Sequence, residues 1–244
     1  MAYGFLTLLS FFTRIPFGNK IEYKEENFIK ALSLYTLMGV VIGIFLVGVY
    51  LIFNNTYIFL LRGLVLTIAY IIITGDIHLD GTADTSDGLF SGRTGERIFE
   101  IMSDSHIGTF GVISLILIVL SQCILFSYLD IYSCFLTPVV GRACVIFAAW
   151  NKKYAKKSKG MGTIFIESID LKILVINLLV LVCLCMVPFY RLAIITSSFA
   201  TIMISYFIST KIEDKIGGMT GDTCGFITET SQIIFMILVL LLKG

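Results

Sequence analysis

The sequence predicts an all-α fold: a polytopic integral membrane helical bundle with about seven transmembrane helices. The 244 residues are 57% hydrophobic and only 14% charged, whereas soluble domains are about 45–50% apolar and about 25% charged. Long apolar runs recur along the chain, and charged residues concentrate between them. This length fits a single membrane-embedded domain, residues 1–244.

Seven apolar runs have roughly the 20 residues that a membrane span needs. They cover residues 31–53, 57–75, 108–128, 131–150, 171–189, 191–209 and 228–243. The last run is short unless residues from Thr223 onward join it. Residues 1–18 are apolar but too short to span, so they predict an interfacial or packed helix ending near Pro16.

The connections between these runs are alternately rich and poor in lysine and arginine. They precede the first span and follow the second, fourth and sixth, and the densest group is NKKYAKKSKG, residues 151–160. The positive-inside rule then places the N-terminus and these loops in the cytoplasm, for a multi-pass protein of the plasma (inner) membrane. The lysines are interpreted as an orientation anchor, with recruitment of an anionic substrate as the alternative. The net charge of +1 gives no indication of nucleic-acid binding.

The loop after the second span contains an unusual aspartate series. Asp76, Asp80, Asp84 and Asp87 follow at spacings of four, four and three, which places them on one face of a helix. Four carboxylates at the bilayer centre would cost roughly 10–14 kcal/mol, so this face must meet water, a cation or a polar cavity. Mg²⁺ is the expected cation, because it takes oxygen ligands from carboxylates and substrate phosphates. His78, among these carboxylates, is either catalytic, substrate-contacting or structural.

A glycine-rich turn, GGMTGDTCG at residues 217–225, precedes the last span. Thr220, Asp222 and Thr223 are predicted to cap the helix that follows. A glycine turn that leads into a helix N-terminus can cradle an anion. Together with the aspartate series it indicates diphosphate chemistry, with Asp222 completing a metal shell and Glu229 supporting it.

Arg142 lies in the middle of the fourth span, in PVVGRACVIFAAW. An intramembrane arginine usually faces the bundle interior and has a partner. We expect that partner to be a cavity aspartate or a substrate phosphate.

The motifs HLDGTADTSDGLFSGR, EIMSDSHIGTFGV and GGMTGDTCG, with FFTRIPF near the start, resemble the cobalamin synthase family over nearly the whole chain. Its members are integral membrane adenosylcobinamide-GDP ribazoletransferases. The resemblance implies a seven-span, Mg²⁺-dependent enzyme that completes the nucleotide loop of vitamin B12. The motif positions are His78, Asp80, Gly81, Asp84, Asp87, Gly88, Asp104, Ser105, Gly218, Thr220, Gly221 and Asp222. The family commonly has arginine where this chain has His106, so the positive contact at that point requires a protonated His106 or a substitute, Arg93 or Arg97.

The resemblance also implies the substrates, adenosylcobinamide-GDP and α-ribazole or its 5′-phosphate. The ribazole 3′-hydroxyl is expected to attack the phosphorus attached to cobinamide and to release GMP. Catalytic residues are expected among His78, Asp84 and Asp87, and the Mg²⁺ ligands among Asp80, Asp84, Asp87, Asp104 and Asp222. Asp76 ranks below these as a ligand. Substrate contacts are expected from Arg93, Ser105, His106, Arg142, Gly218, Thr220 and Gly221.

Three alternatives fit parts of the pattern. A CDP-alcohol phosphotransferase would show DG-x-x-AR, but no Ala-Arg pair follows Asp80 and Gly81. A prenyl transferase would show two N/D-x-x-x-D boxes, and the last loop supplies only Asp222. A cation transporter would carry its carboxylates inside the spans. Membrane lipid is the expected surrounding partner, and the sequence leaves the oligomeric state open, including a homo-oligomer.

Overall fold

The computed structural model describes residues 2–15, 23–54, 58–75, 77–157 and 159–243. Apart from one isolated bridge between Tyr154 and Met219, the regular structure of these residues is helical. A 3₁₀ turn, Leu32–Leu34, joins the helix Glu25–Ala31 to the helix Tyr35–Phe53. The helices are α1 (Ala2–Phe12), α2 (Glu25–Ala31), α3 (Tyr35–Phe53), α4 (Phe59–Thr74), α5 (Ile77–Phe90), α6 (Glu96–Met102), α7 (Thr109–Tyr128), α8 (Ile131–Ala149), α9 (Met161–Glu167), α10 (Leu171–Cys185), α11 (Arg191–Ile216) and α12 (Gly221–Lys243).

The predicted polytopic helical bundle is confirmed. In the described residues, five helical segments are long and apolar enough to cross a membrane. Two further pairs are bent, α4 with α5 by 94° and α9 with α10 by 84°, and they bring the number to seven if each pair is one span. Only 22% of the apolar window of α7 is buried, against 78% for α8. Helix α7 therefore turns most of its apolar surface to lipid, and α8 lies at the centre of the bundle.

Helix α3 packs closely against α8. A Cβ atom added at Gly39 would lie 2.6 Å from the carbonyl oxygen of Pro138 and from the Cα of Val139. Both are backbone atoms, so they cannot rotate away as a side chain could. Small residues allow this kind of close backbone approach between membrane helices, where dispersion contacts replace the hydrophobic effect.

Three element ends differ from the sequence prediction. Helix α1 ends at Phe12, and Pro16 lies outside the described residues. Helix α11 continues to Ile216, beyond the apolar run, and ends where Gly217 adopts a left-handed φ of 78°. Helix α12 begins at Gly221, which makes the last span 23 residues long.

Helix α5 does not continue the span of α4. It has 14 residues, about 21 Å of helix, and it carries three carboxylates. It packs against the N-terminal ends of α7 and α12, at one end of the bundle. We therefore place α5 outside the spans. Asp76 lies outside the described residues.

The basic loops meet at this same end. Lys157 pairs with Glu96, Lys215 donates to the carbonyl of Leu89, and Lys156 pairs with Asp222. The loops after the second, fourth and sixth predicted spans are therefore on one side, in agreement with the alternating charge pattern.

We expect Gly39→Leu to lower the free energy of unfolding by about 1–3 kcal/mol, because overpacking forces α3 away from α8. Gly48 on the same helix is the matched control, because a Cβ added there meets nothing within 4 Å. Thermal unfolding in detergent measures both variants. Equal melting temperatures for Gly39→Leu and Gly48→Leu would contradict the packing described here.

Candidate active site

The aspartates of α5 do not share one environment. The predicted helix is present, but Asp80 is exposed, Asp84 is half-buried and Asp87 is buried. Burial, reinforced by the negative charges of Asp80 and Asp222, raises the pKa of the Asp84 carboxyl to about 6. Asp80, Asp84 and Asp222 are therefore close enough for their carboxylates to repel one another, and a cation among them would relieve that repulsion.

Helix α12 brings Asp222 to these carboxylates. A Cβ added at Gly81 would lie 2.8 Å from the Cα of Asp222, and one added at Gly225 would lie 3.1 Å from the Cα of His78. The two helices therefore touch backbone to backbone. The glycines of both sequence motifs allow this approach, since any side chain would separate the helices.

The N-terminus of α12 is capped as the sequence predicts. The backbone N–H of Thr223 donates to Thr220 Oγ1 at 3.2 Å, and the N–H of Thr220 donates to Thr223 Oγ1 at 2.8 Å. This reciprocal pair is a capping box. Asp222 lies within the first turn and accepts from Lys156 Nζ at 2.9 Å. Thr220 is fully buried, so its hydroxyl serves the cap.

The glycine turn is joined to the lysine-rich loop. Met219 N–H donates to the carbonyl of Lys153 at 2.9 Å, and Ala155 N–H donates to the carbonyl of Met219 at 2.8 Å. A Cβ at Gly218 would collide with that same Lys153 carbonyl. Gly218 thus holds the two loops together, and Gly221 has open space beside it.

Two cavities lie on either side of Asp80. The smaller, about 220 Å³, is lined by aromatic residues together with His78, Gly221 and Asp222. The larger, about 650 Å³, is lined by Asp84, Asp104 and Ser105 among others. Asp80 lines both. A reaction between two bound molecules could therefore take place at this carboxylate.

Asp87 has a different environment from Asp80 and Asp84. Its two oxygens accept from the backbone N–H groups of Gly108 at 2.7 Å and Gly111 at 2.8 Å. Gly108 is the N-cap residue of α7 and has no side chain with which to cap it. Asp87 supplies that cap from the neighbouring helix. Both oxygens are engaged, so this geometry gives no support to the predicted catalytic and metal-binding roles of Asp87.

The loop before α7 carries three of the predicted residues. Asp104, Ser105 and His106 are exposed, and Asp104 and Ser105 line the larger cavity. Asp104 Oδ1 accepts from the His106 N–H at 3.0 Å and bonds to His106 Nδ1 at 2.8 Å. These hydrogen bonds lower the pKa of Asp104. Arg93 is exposed in the turn after α5, so its substrate contact stays a prediction.

Arg142 is fully buried and lines neither cavity. Its Nη1 donates to the hydroxyl oxygen of Tyr70 at 3.1 Å, and Tyr70 donates to Glu229 Oε1 at 2.7 Å. Gln122 and Gln232 complete the network by donating to Glu229 Oε2 and to Tyr70 Oη. The partner of Arg142 is therefore Glu229 through Tyr70. It is not a cavity aspartate, and this geometry does not support a direct substrate contact.

The donor set suits Mg²⁺ only in part. Among the described residues, no three His, Cys, Asp or Glu side chains lie close enough together to hold a metal ion. Mg²⁺ typically needs only one or two carboxylates, with substrate phosphates and water as its other ligands. Asp80 and Asp222 line one cavity and crowd Asp84, so these carboxylates fit that requirement, with Asp222 also accepting from Lys156 and Thr220 at Oδ2. Both oxygens of Asp87 accept hydrogen bonds, whereas Asp104 is engaged at Oδ1, so its metal-binding role stays a prediction.

Sequence reasoning missed two parts of this site. The sequence predicts an orientation anchor, or recruitment of an anionic substrate, for the lysine-rich loop, but it does not predict the pair of Lys156 with Asp222. The aromatic wall of the smaller cavity was also missed, since its residues come from distant segments: Phe11, Phe12, Phe28, Tyr35 and Phe165. The FFTRIPF motif was a signal for Phe11 and Phe12, because a short apolar helix too small to span must pack on something.

The fold and the site together describe a polytopic helical membrane protein with a carboxylate centre at one end of its bundle. Residues 4–240 match the model of the Cobalamin-5-phosphate synthase family, and the chain belongs to that family. It is therefore a transferase of cobalamin biosynthesis, which sets aside the CDP-alcohol phosphotransferase, prenyl transferase and cation transporter alternatives.

Three curated relatives carry the name adenosylcobinamide-GDP ribazoletransferase. The protein of Alkaliphilus oremlandii is 37% identical over 98% of this chain and 97% of its own. The protein of Clostridium novyi is 34% identical over 98% of this chain and 97% of its own. The protein of Clostridium acetobutylicum is 34% identical over 96% of this chain and 94% of its own. No solved structure matches the chain.

We expect Asp87→Asn to lower the free energy of unfolding by about 1–3 kcal/mol, because it removes one of two charge-assisted acceptors at the α7 N-terminus. Asp214→Asn is the matched control, since that exposed side chain pairs only weakly with Lys211 at 3.5 Å. Chemical denaturation in detergent measures both. An Asp87→Asn protein as stable as the Asp214→Asn protein would show that Asp87 does not cap α7.

Proposed function

We propose that the chain transfers the cobinamide phosphate of adenosylcobinamide-GDP to α-ribazole, or to its 5′-phosphate, and releases GMP. The observation that carries this proposal is the position of Asp80 between two cavities, with Asp84 on one side and Asp222 on the other. Two adjoining cavities with a polar centre between them suit a transfer between two bound substrates. The names of the relatives supply the substrates.

In the proposed reaction the 3′-hydroxyl oxygen of ribazole forms a bond to the phosphorus attached to cobinamide. The diphosphate P–O bond breaks, GMP leaves with the electron pair, and the hydroxyl proton passes to a carboxylate. Asp84 is our candidate for that acceptor, because it lies one helical turn from Asp80 and lines the larger cavity. His78 lies in the smaller cavity, away from Asp84, and we assign it to substrate contact.

Asp80 and Asp222 are the proposed Mg²⁺ ligands, with phosphate oxygens completing the shell. When bound there, Mg²⁺ supplies positive charge next to the diphosphate and the leaving GMP. The crowding of carboxylates around Asp84 supports a cation at this place. Lys156, whose Nζ lies 2.9 Å from Asp222 Oδ2, would add positive charge beside a phosphate bound there.

The N-terminal end of α12 adds a second source of positive potential. Gly221 and Asp222 form its first turn and line the smaller cavity. Backbone N–H groups and the helix dipole favour anions at such an end. We propose that the diphosphate binds between this helix end and Lys156.

We further propose that the protein is in the plasma (inner) membrane with this end in the cytoplasm. The support is the distribution of lysine and arginine, which gather at the end that carries the site.

The test of function is GMP release by the purified protein in detergent or vesicles. We expect release with adenosylcobinamide-GDP, α-ribazole and Mg²⁺ together, and no release when any one is omitted or when a chelator removes the metal. Restoring Mg²⁺ after chelation should restore the rate. Release that is unaffected by chelation would refute the metal role, and turnover of CDP-diacylglycerol or a prenyl diphosphate in place of these substrates would refute the reaction.

Asp84→Asn should abolish transfer while leaving the protein folded. Asparagine keeps the shape of the side chain but cannot accept the proton, and loss of a general base costs roughly 10²–10⁴-fold in rate. Unfolding curves of the variant should match or exceed those of the parent, because a carboxylate that burial disfavours has been neutralised. Near-normal turnover by Asp84→Asn would exclude Asp84 as the proton acceptor, and Asp214→Asn again serves as the exposed control.

A further inference from the structure

We propose that the smaller cavity binds the aromatic base of α-ribazole, with its ring packed against Phe12 and Phe165 and its free ring nitrogen facing His78 Nε2. This inference rests on the proposed function. It assigns the two cavities to the two substrates and identifies the residues that select the base.

The wall of the smaller cavity is a cluster of aromatic rings from four helices. Phe12 of α1, Tyr35 of α3 and Phe165 of α9 contact one another, with ring centroids 5.0–6.1 Å apart and edge-to-face angles. Phe28 of α2 and Phe11 complete the wall. Aromatic faces and edges at this spacing favour a flat aromatic ligand. The cluster therefore fits a planar base better than it fits a sugar or a phosphate.

His78 is the polar group of this wall that points to a ligand. It is only 5% exposed, its ring stacks on Phe12 at 5.8 Å with an interplanar angle of 22°, and it lines the cavity. Its Nε2 atom has no hydrogen-bond partner among the described residues. Leaving a buried polar atom without a partner is unfavourable, so a ligand that satisfies it gains affinity.

The chemistry of the candidate bases decides between them. The base of ribazole is 5,6-dimethylbenzimidazole, which carries two methyl groups and one free ring nitrogen that accepts a hydrogen bond. Adenosylcobinamide-GDP carries two purines, guanine and adenine, whose several donors and acceptors an aromatic wall would leave unpaired, because the carboxylates of this cavity, Asp80 and Asp222, are the proposed Mg²⁺ ligands. Hydrophobic sites tolerate methyl groups, and unpaired polar groups weaken binding. One histidine nitrogen matches one ring acceptor, so the cavity matches the benzimidazole.

The polar end of the smaller cavity indicates where the ribose of ribazole would lie. Gly221, Asp222 and Asp80 line the same cavity as the aromatic cluster, and Gly221 leaves open space beside the α12 N-terminus. A ribose attached to a base in the cavity would extend toward these residues. Its 3′-hydroxyl would then approach Asp80 and the diphosphate bound at the α12 N-terminus, and the larger cavity beyond Asp80 would take another part of adenosylcobinamide-GDP.

The first experiment uses the unaltered protein and a series of α-ribosides at saturating adenosylcobinamide-GDP. We expect kcat/KM to fall about tenfold or more when benzimidazole replaces 5,6-dimethylbenzimidazole, and roughly 10²-fold when adenine does. The ratio of rates reports on the base subsite and not on the phosphate chemistry. Equal kcat/KM across the series would overturn the proposal even though transfer itself is intact.

The second experiment tests His78 through the ring nitrogen. The riboside of 5,6-dimethylindole has a C–H group where the benzimidazole has its free nitrogen. The unaltered protein should prefer the benzimidazole by about 2–12-fold, the range of one net hydrogen bond. His78→Leu should lose this preference, measured as a ratio of dissociation constants by equilibrium dialysis, whatever its turnover. An unchanged preference in His78→Leu would overturn the contact.

The third experiment substitutes the aromatic wall. Phe165→Leu should raise the KM for α-ribazole about 2–12-fold, the range of one aromatic contact, with the KM for adenosylcobinamide-GDP unchanged. Phe126→Leu is the matched control, because Phe126 is buried in α7 away from both cavities. Should Phe165→Leu not fold, Phe12→Leu replaces it. A rise in the other KM, or none, would overturn the assignment, whereas absence of transfer in the unaltered protein would refute the function itself.

Discussion

The candidate site depends on one constraint, the contact of α5 and α12 backbone to backbone. Asp80 and Asp222 are 142 positions apart in sequence, and they line one cavity because Gly81 lies against the backbone of Asp222 and Gly225 against that of His78. A side chain at either glycine would push the helices apart and open the carboxylate centre. Helix packing alone therefore requires glycine at these two positions, independently of any contact with the substrate.

A network of buried hydrogen bonds connects α12 to three neighbouring helices. Tyr70 of α4, Gln122 of α7 and Arg142 of α8 all connect to Glu229 of α12, directly or through the Tyr70 hydroxyl. Arg142 and Glu229 are joined through the Tyr70 hydroxyl, and removing either would leave a buried polar group without its partner, at a cost of about 1–3 kcal/mol. The network therefore restrains α12 two turns below Asp222.

The acidic residues of α5 divide into two kinds because the neighbours of the helix differ along its length. Asp80 and Asp84 face cavities beside the N-terminus of α12, where they repel one another. Asp87 faces α7 and satisfies two backbone donors. The lysine-rich loop lies at the same end of the bundle. Backbone hydrogen bonds hold it to the glycine turn, and this position brings Lys156 to Asp222. Charges that face the cavities and a side chain that caps a helix thus come from adjacent turns of α5.

The sequence by itself determined the membrane bundle, the helix that carries the aspartates, the capped start of α12 and the family, since apolar length, charge alternation and short motifs are local properties. It could not separate Asp87 from Asp84, because equal helical spacing says nothing about which neighbour each side chain meets. Nor could it pair Arg142 with Glu229 or gather Phe12 and Phe165 into one wall. Those contacts join residues far apart in the chain, and only the packing of the helices decided them.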